Sequence, residues 1–220
     1  AFKVGLSKRD INMRQKHLKR VLTRQLLTST LTAAAFFGAN LIGNNDVFSA
    51  GRDGIAAYYS TGVTISNNDD TVGTGVKGSG NNGIGVYGSH GTVVAGNDVD
   101  DSGWDGIQTN GSNGVQVTGN SVTDTLGASG ISILGSLNNY VAGNYIDNSA
   151  RLGIYALNAD GLTVFNNYVY DSGLEAGLQW SGINVESTDG ATITLNTVGR
   201  ADLDGINIGG NINTGDGTSS

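Results

Sequence analysis

Apolar residues recur along this chain at fixed offsets from a series of Gly-Ile dipeptides. The dipeptides begin at Gly54, Gly83, Gly106, Gly130, Gly153, Gly182 and Gly205, with spacings of 29, 23, 24, 23, 29 and 23 residues. One position on stand Ile55, Ile84, Ile107, Ile131, Ile154, Ile183 and Ile206; three positions on stand Ala57, Val86, Thr109, Ile133, Ala156, Val185 and Ile208. Alternation by two is the mark of a strand with one face turned inward. A second strand is predicted around Ile65, Val94, Val117, Val141, Val164 and Ile193, at offset 11. A third is predicted around offset 16, at Asp70, Val99, Val122, Ile146, Val169 and Val198.

Three short strands per repeat, at a period of 20 to 30 residues, predict an all-β solenoid in which each strand pairs with its equivalent one coil away, about 4.8 Å along the axis. Between the second and third strands every complete coil carries Asn at offset 14: Asn68, Asn97, Asn120, Asn144, Asn167 and Asn196. A column of amides at one corner is expected to stack and to satisfy backbone groups that the turn withdraws from water.

Composition agrees with this pattern and narrows the function. The 220 residues include 36 Gly and neither Pro nor Cys. Gly at that density disfavours helix interiors and suits tight turns, and the lack of Cys excludes disulfides and thiolate metal sites. The net charge of −7 hides two regions. Residues 1–50 hold eight basic groups against Asp10 and Asp46, whereas residues 51–220 hold four basic groups against seventeen acids. An acidic body repels phosphate backbones and attracts cations, so nucleic acid is not an expected partner.

The basic region ends in an uncharged stretch. Met13, the only Met, precedes a run rich in Lys and Arg, and residues 25–43 then carry no charge. A basic segment, an apolar segment over residues 26–37 and small residues after it follow the order of an export signal. The alternative is an amphipathic helix that covers the end of the solenoid. The expected organisation is therefore a helical signal segment over residues 1–50, starting at Met13, and a solenoid over residues 51–220. Residues beyond Ile212 are polar and offer no cap for an open end, so the chain is expected to be a fragment, with a cap or a membrane barrel following it. The membrane is otherwise involved only through the signal.

The repeat G-I-x-V…G-V-x-V-x-G-N-x-V, over about residues 52–212, resembles that of the pectate-lyase-like superfamily. The wording of the run from Asp53 to Asn68, D-G-I-A-A-Y-Y-S-T-G-V-T-I-S-N-N, is similar to passenger domains of bacterial autotransporters. The resemblance implies a right-handed, single-stranded parallel β-helix of about six or seven coils. It implies little about activity, because this solenoid serves lyases, hydrolases, epimerases, tailspikes and adhesins alike. Catalytic signatures of the superfamily are missing. Polygalacturonase-like enzymes place a G-H-G motif after D-D, but here Ser89-His90-Gly91 precedes Asp100-Asp101, and the Y-G-F-D-P-H motif of mannuronan epimerases cannot occur without Pro.

Candidate chemistry gathers where the third strand ends. The two 29-residue repeats each carry six extra residues between the Asn column and the next Gly-Ile pair. Both insertions, at residues 71–82 and 173–181, are expected to leave the same corner, about 19 Å apart, and to bracket a groove. Asp101, Asp124, Asn148 and Asp171 share offset 18, with Asp100 and Asp147 one position earlier. Such carboxylates either cap turns or hold Ca²⁺, for which Asp100, Asp101 and Asp124 are the candidate ligands. The expected cofactor is thus none, or Ca²⁺. Asp101, Asp124, Arg151 and Lys77 are the candidate catalytic groups, since carboxylate pairs serve glycoside hydrolysis and a Lys or Arg base serves a uronate lyase. Tyr145, Tyr168, Tyr170 and Trp180, with Asp147 and Asp171, are candidate sugar contacts; the same aromatics also suit the cover of a turn.

Two readings follow: an exported, non-catalytic surface module of passenger or adhesin type that binds polysaccharide or cell-surface glycans, or a polysaccharide lyase, hydrolase or epimerase. Gly-rich matches to G-x-G-x-x-G at residues 73–78 and 78–83 precede no helix and carry no nucleotide-binding meaning. Export is directly testable: the chain expressed from Met13 in a Gram-negative host should lose its N-terminus and leave the cytoplasm, and intact cytoplasmic protein would refute the signal reading.

Overall fold

The structure, a computed structural model, describes residues 31–33, 40–68, 76–174 and 180–209, of which 31–33, 76 and 77 are described as backbone alone. Among them the chain is a parallel solenoid of three sheets and about seven turns, with no helix. The first sheet has eight strands, Leu31–Ala33, Ile55–Tyr58, Ile84–Tyr87, Ile107–Asn110, Ile131–Leu134, Ile154–Leu157, Ile183–Glu186 and Ile206–Gly209. The second and third have seven each, and in every coil the chain visits the three in the same order. Registers follow the predicted offsets: Ile107 pairs with Ile84 and Ile131, Val117 with Val94 and Val141, and Val122 with Val99 and Ile146.

The inward residues of all three sheets form one core. Ile55, Ile84, Ile107, Ile131, Ile154 and Ile183 are completely buried, as are Ile65, Val94, Val117, Val141, Val99, Val122 and Ile146. At a few tens of cal/mol per Å² of apolar surface, this repeated column of branched side chains supplies the main driving force. The Gly of the pairs at Gly83, Gly106, Gly130, Gly153 and Gly182 is there for lack of space. A Cβ on Gly83 would strike the Val99 side chain and sit 2.8 Å from the carbonyl oxygen of Gly106; one on Gly153 would meet Val169 and the carbonyl of Gly182.

Each corner has its own polar column. At the turn from the second to the third sheet, Asn68, Asn97, Asn120, Asn144 and Asn167 are buried. Asn120 Nδ2 donates to Asn144 Oδ1 at 2.9 Å and to the Val94 carbonyl at 2.9 Å, and the Asn120 backbone N–H donates to the same Asn144 Oδ1 at 2.9 Å. Asn45 starts the column with a 3.0 Å bond to Asn68, and Asn196 ends it with a 3.0 Å bond from Asn167. The residue before each Asn is left-handed, with φ of 62° at Gly96, 60° at Gly119 and 63° at Gly143, which is why this corner reads Gly-Asn in the central coils. At the turn from the first to the second sheet a serine column does similar work: Ser60 N–H donates to Ser89 Oγ and Ser89 N–H to Ser112 Oγ, both at 3.0 Å.

The third corner holds Asp53, Asn82, Asp105 and Ser129 on successive coils. Asp105 N–H donates to Asn82 Oδ1 at 3.1 Å, and Ser129 N–H to Asp105 Oδ1 at 3.0 Å. Asp105 Oδ1 also accepts from Ser132 Oγ at 2.7 Å, and its Oδ2 accepts from Gln108 Nε2 at 2.7 Å. Burial pushes the Asp105 carboxyl above its ordinary value, opposed by these donors and by the charge of Arg151.

Two expectations change. The insertions do not share a corner. In the first long coil the strand of the third sheet is Val76–Lys77, in register with Val47 and Val99, so the extra residues precede that strand. In the other long coil they follow the strand Tyr168–Ser172. Val76 thus takes the register position of Val47 and Val99, and the turn from Val76 to Gly83 has ordinary length. The solenoid also has a coil ahead of Gly54: Leu31–Ala33 pairs with Ile55–Ala57, Asn40–Gly43 with Val63–Ser66, and Val47–Phe48 with Val76–Lys77. The basic run and most of the apolar stretch of the expected signal lie outside the described residues.

The Asn column should be costly to interrupt. Asn120→Ala or Asn144→Ala removes several buried bonds and should lower stability by about 1–3 kcal/mol, while Asn196→Ala, at a half-buried end, should cost less; equal, negligible shifts in melting temperature for all three would refute this. A proton-linked effect is expected at Asp105. Because its folded pKa is raised, the folded state holds a proton that the unfolded state has released, so this group's contribution to stability declines as pH rises above about 4. Asp105→Asn, which repeats the residue found at Asn82 in the same column, should therefore gain stability relative to wild type as pH rises through that window. A difference in melting temperature that is flat with pH would show that the carboxyl is unperturbed.

Candidate functional site

The chain leaves the third sheet through a residue in the left-handed region. Asp101, Asp124, Asn148, Asp171 and Arg200 have φ of 54°, 53°, 59°, 45° and 51° in successive coils, and Gly78 stands at the same place with 64°. Short polar side chains tolerate this conformation best after Gly, so the backbone alone accounts for Asp and Asn at offset 18. The turn then brings an outward residue two positions before each Gly-Ile pair. In four consecutive coils these are Trp104, Ala128, Arg151 and Trp180, one above the other; the Arg151 N–H donates to the Ala128 carbonyl at 3.0 Å.

The Arg151 side chain lies along this column. Its guanidinium carbon is 5.3 Å from the centre of the Trp104 ring and 5.6 Å from that of Trp180. The small Ala128 lets it pass to Trp104. Two cation–π contacts, each worth about 0.5–1 kcal/mol at such exposure, hold the charge in place.

This wall divides two hollows that share Trp104 and Arg151. One, of about 270 Å³, lies over the outer face of the first sheet. Its floor carries one polar side chain per coil, in register: Gln108, Ser132, Tyr155 and Asn184. At its far end Glu186 accepts from Asn184 Nδ2 at 2.6 Å and from Tyr155 Oη at 3.3 Å. Burial, with the Glu186 carboxylate adding to it, pushes the Tyr155 hydroxyl up to about 12, so it acts as a neutral donor throughout the physiological range. The second hollow, of about 400 Å³, lies on the other side of the wall and is lined by Asp124, Leu126, Asn148 and Leu174 among others.

The structure separates the expected site residues into three groups. Arg151 and Trp180 belong to the wall. Tyr145, Tyr168 and Tyr170 stand on the outer face of the third sheet, with ring centres 5.4 Å apart between Tyr145 and Tyr168 and 5.7 Å between Tyr168 and Tyr170. Their faces are turned on one another, and Arg200, paired with Asp171, lies 4.2 Å over Tyr170. Asp147 belongs to the same group, accepting from Tyr145 Oη at 2.9 Å, a bond that raises the Tyr145 pKa. The third group is Asp100, Asp101 and Asp124, half-buried, with carboxylate oxygens all within 4.8 Å of one another. Thr123 Oγ1 donates to Asp100 at 3.1 Å, and Asn148 Nδ2 donates to Asp124. Three converging carboxylates are the type of oxygen set that Ca²⁺ accepts. The Lys77 backbone is in register with Asp100; its side chain lies outside the described residues, as do residues 69–75 and 175–179 of the two insertions.

Trp104, Asp105, Gln108, Ser132, Tyr155, Asn184 and Glu186 were not singled out from the sequence. Their signal was present: they occupy offsets −2, −1, 2 and 4 from the Gly-Ile pairs, the outward and corner positions of the same repeat whose inward positions define the core.

The family model described as right handed beta helix region matches residues 34–128 and 82–215. Among solved structures, the chain is similar to tailspike protein 2 of Escherichia coli O157:H7 bacteriophage CAB120, at 16% identity and a TM-score of 0.58, over 82% of this chain and 26% of the tailspike. It is similar also to the enzymatically active domain of tailspike protein 2 of bacteriophage CBA120, at 16% identity and a TM-score of 0.56, over 82% of this chain and 29% of that one. The T265N mutant of the periplasmic alginate epimerase AlgG shares 18% identity over 74% of this chain and 40% of its own, with a TM-score of 0.48. The chain thus spans about a quarter of the length of the first tailspike, and at these identities the likeness is one of fold. No curated protein matches it. The model covers most of the chain, and the residues that it matches contain the three-sheet coils described above: the chain belongs to the right handed beta helix family.

Proposed function

We propose that this chain is an exported, non-catalytic solenoid module that binds an acidic glycan along the outer face of its first sheet. The observation that carries this is the Arg151 guanidinium held between Trp104 and Trp180 on the wall of a groove floored by polar side chains. Sugar recognition needs an aromatic face for the apolar side of the ring, directional donors and acceptors for its hydroxyls, and a fixed cation for a carboxylate. All three are present within four coils.

Binding is favoured over hydrolysis by the placing of the carboxylates. Asp105 and Glu186 flank the groove from coils three apart, about 14 Å along the axis, whereas glycosidase pairs stand about 5–9.5 Å apart. The enzymatic alternative has one observation on its side, the raised carboxyl of Asp105 within reach of the charge of Arg151, an arrangement that suits proton transfer beside a uronate carboxylate.

Both readings are tested by a panel of acidic polysaccharides, with and without Ca²⁺, followed by binding and by absorbance of unsaturated product. Wild type should bind without forming product, and Trp180→Ala or Trp104→Ala should weaken binding roughly tenfold, as expected for the loss of about 1.4 kcal/mol of stacking. Product that disappears in Arg151→Ala would establish a lyase instead. Affinity that rises with Ca²⁺ in wild type, and no longer does so in Asp124→Ala, would assign the carboxylate cluster to the cation. If no polysaccharide binds under any condition, the groove is not a glycan site.

A further inference from the structure

Resting on the glycan reading of the groove, we infer that it selects a chain in which one carboxylated sugar is flanked by neutral sugars, and rejects one in which every sugar is charged. The floor presents Gln108, Ser132, Tyr155 and Asn184 on consecutive coils, in register and therefore about 4.8 Å apart. That step is close to the length of one pyranose unit. A linear glycan laid parallel to the solenoid axis meets one polar side chain per sugar.

Charge along the same line is not uniform. Arg151 belongs to the turn that leads into the Tyr155 strand, so its guanidinium serves the sugar over Tyr155 and that sugar's neighbour toward Trp104. One coil further, over Asn184, the groove ends on the carboxylate of Glu186. Two coils back it holds Asp105, whose Oδ2 lies beneath Gln108. From the Ser132 coil onward the order along the axis is neutral, positive, negative. A carboxylated sugar beside Arg151 gains a charge-assisted contact, but a second one over Asn184 faces Glu186, where like charges partly withdrawn from water repel. Glu186 is held in that position by two donors, Asn184 Nδ2 and Tyr155 Oη, so it cannot swing away without leaving them unpaired. The groove therefore uses repulsion as well as attraction to discriminate.

The test compares two tetrasaccharides of equal length at physiological salt, where charges on the rest of the protein are screened beyond about 8 Å. One is the repeat of deacylated gellan, with a single uronate among neutral sugars; the other is tetragalacturonate, with a uronate at every position. Wild type should bind the gellan repeat at least about tenfold more tightly. Glu186→Gln should close most of that gap by strengthening tetragalacturonate, and its carboxyl-reduced form should bind wild type and Glu186→Gln alike. Tetragalacturonate binding to wild type as tightly as gellan, or a ratio unmoved by Glu186→Gln, would overturn the charge-spacing rule, and loss of that binding in Trp180→Ala would show that the glycan site itself survives. Failure of every tetrasaccharide to bind would refute the glycan reading and this inference with it.

Discussion

Backbone amides at a corner have nowhere to go unless a side chain meets them, and the Asn column is what meets them here. Strands of a parallel sheet satisfy one another through the ladder, but each turn between sheets takes donors and acceptors out of that ladder and, in a solenoid, out of water as well. Each central Asn accepts two bonds on Oδ1 and donates two from Nδ2, which is the capacity of its amide. A corner settled in this way fixes the path of the chain into the third sheet. The position of everything beyond that sheet follows, including the Trp104, Arg151 and Trp180 wall.

The glycines of the Gly-Ile pairs from Gly83 to Gly182 fix the other end of that path. With no room for a Cβ between the neighbouring coil's carbonyl and the Val or Ile of the third sheet, the chain passes close under the corner and turns at once into the first sheet. Of the residues just ahead of the glycine, the one immediately before it is buried at the corner, where Asp105 bonds to Gln108 and Ser132, and the one before that stands on the groove wall, as Trp104 and Arg151 do. Core packing and the groove wall are thus consequences of one tight bend.

The inward half of this architecture could be read from the sequence because burial imposes a strict rule on residue type. Ile at offset 1 and Asn at offset 14 recur without exception in the complete coils, since any substitute leaves a cavity or an unpaired amide. The outward half obeys no such rule. At offset 2 the series runs Ala56, Gly85, Gln108, Ser132, Tyr155, Asn184 and Asn207, which has no pattern until the sheet shows that these residues share a face. Trp104 belongs to the same outward half, and because spacing between glycines reports the length of a coil but not where its extra residues lie, the insertion before Val76 cannot be told by spacing from one after the third strand. Tyr145 and Tyr168 share offset 15 and stack, yet sequence offsets do not tell that this column belongs to a different face from Trp180.

The three corner columns also have a direction. At the serine and asparagine corners the earlier coil donates to the later one: Ser60 N–H to Ser89 Oγ, Asn97 N–H and Nδ2 to Asn120 Oδ1. At the aspartate corner the later coil donates to the earlier, as Ser129 N–H does to Asp105 Oδ1. A coil laid down from the N-terminal side therefore leaves unmet donors at two corners and an unmet acceptor at the third, and Ser89, Asn120 and the Ser129 N–H are the groups that meet them in the following coils. Each turn thus presents to the next a set of donors and acceptors with a fixed polarity, which sets the two ends of the solenoid apart.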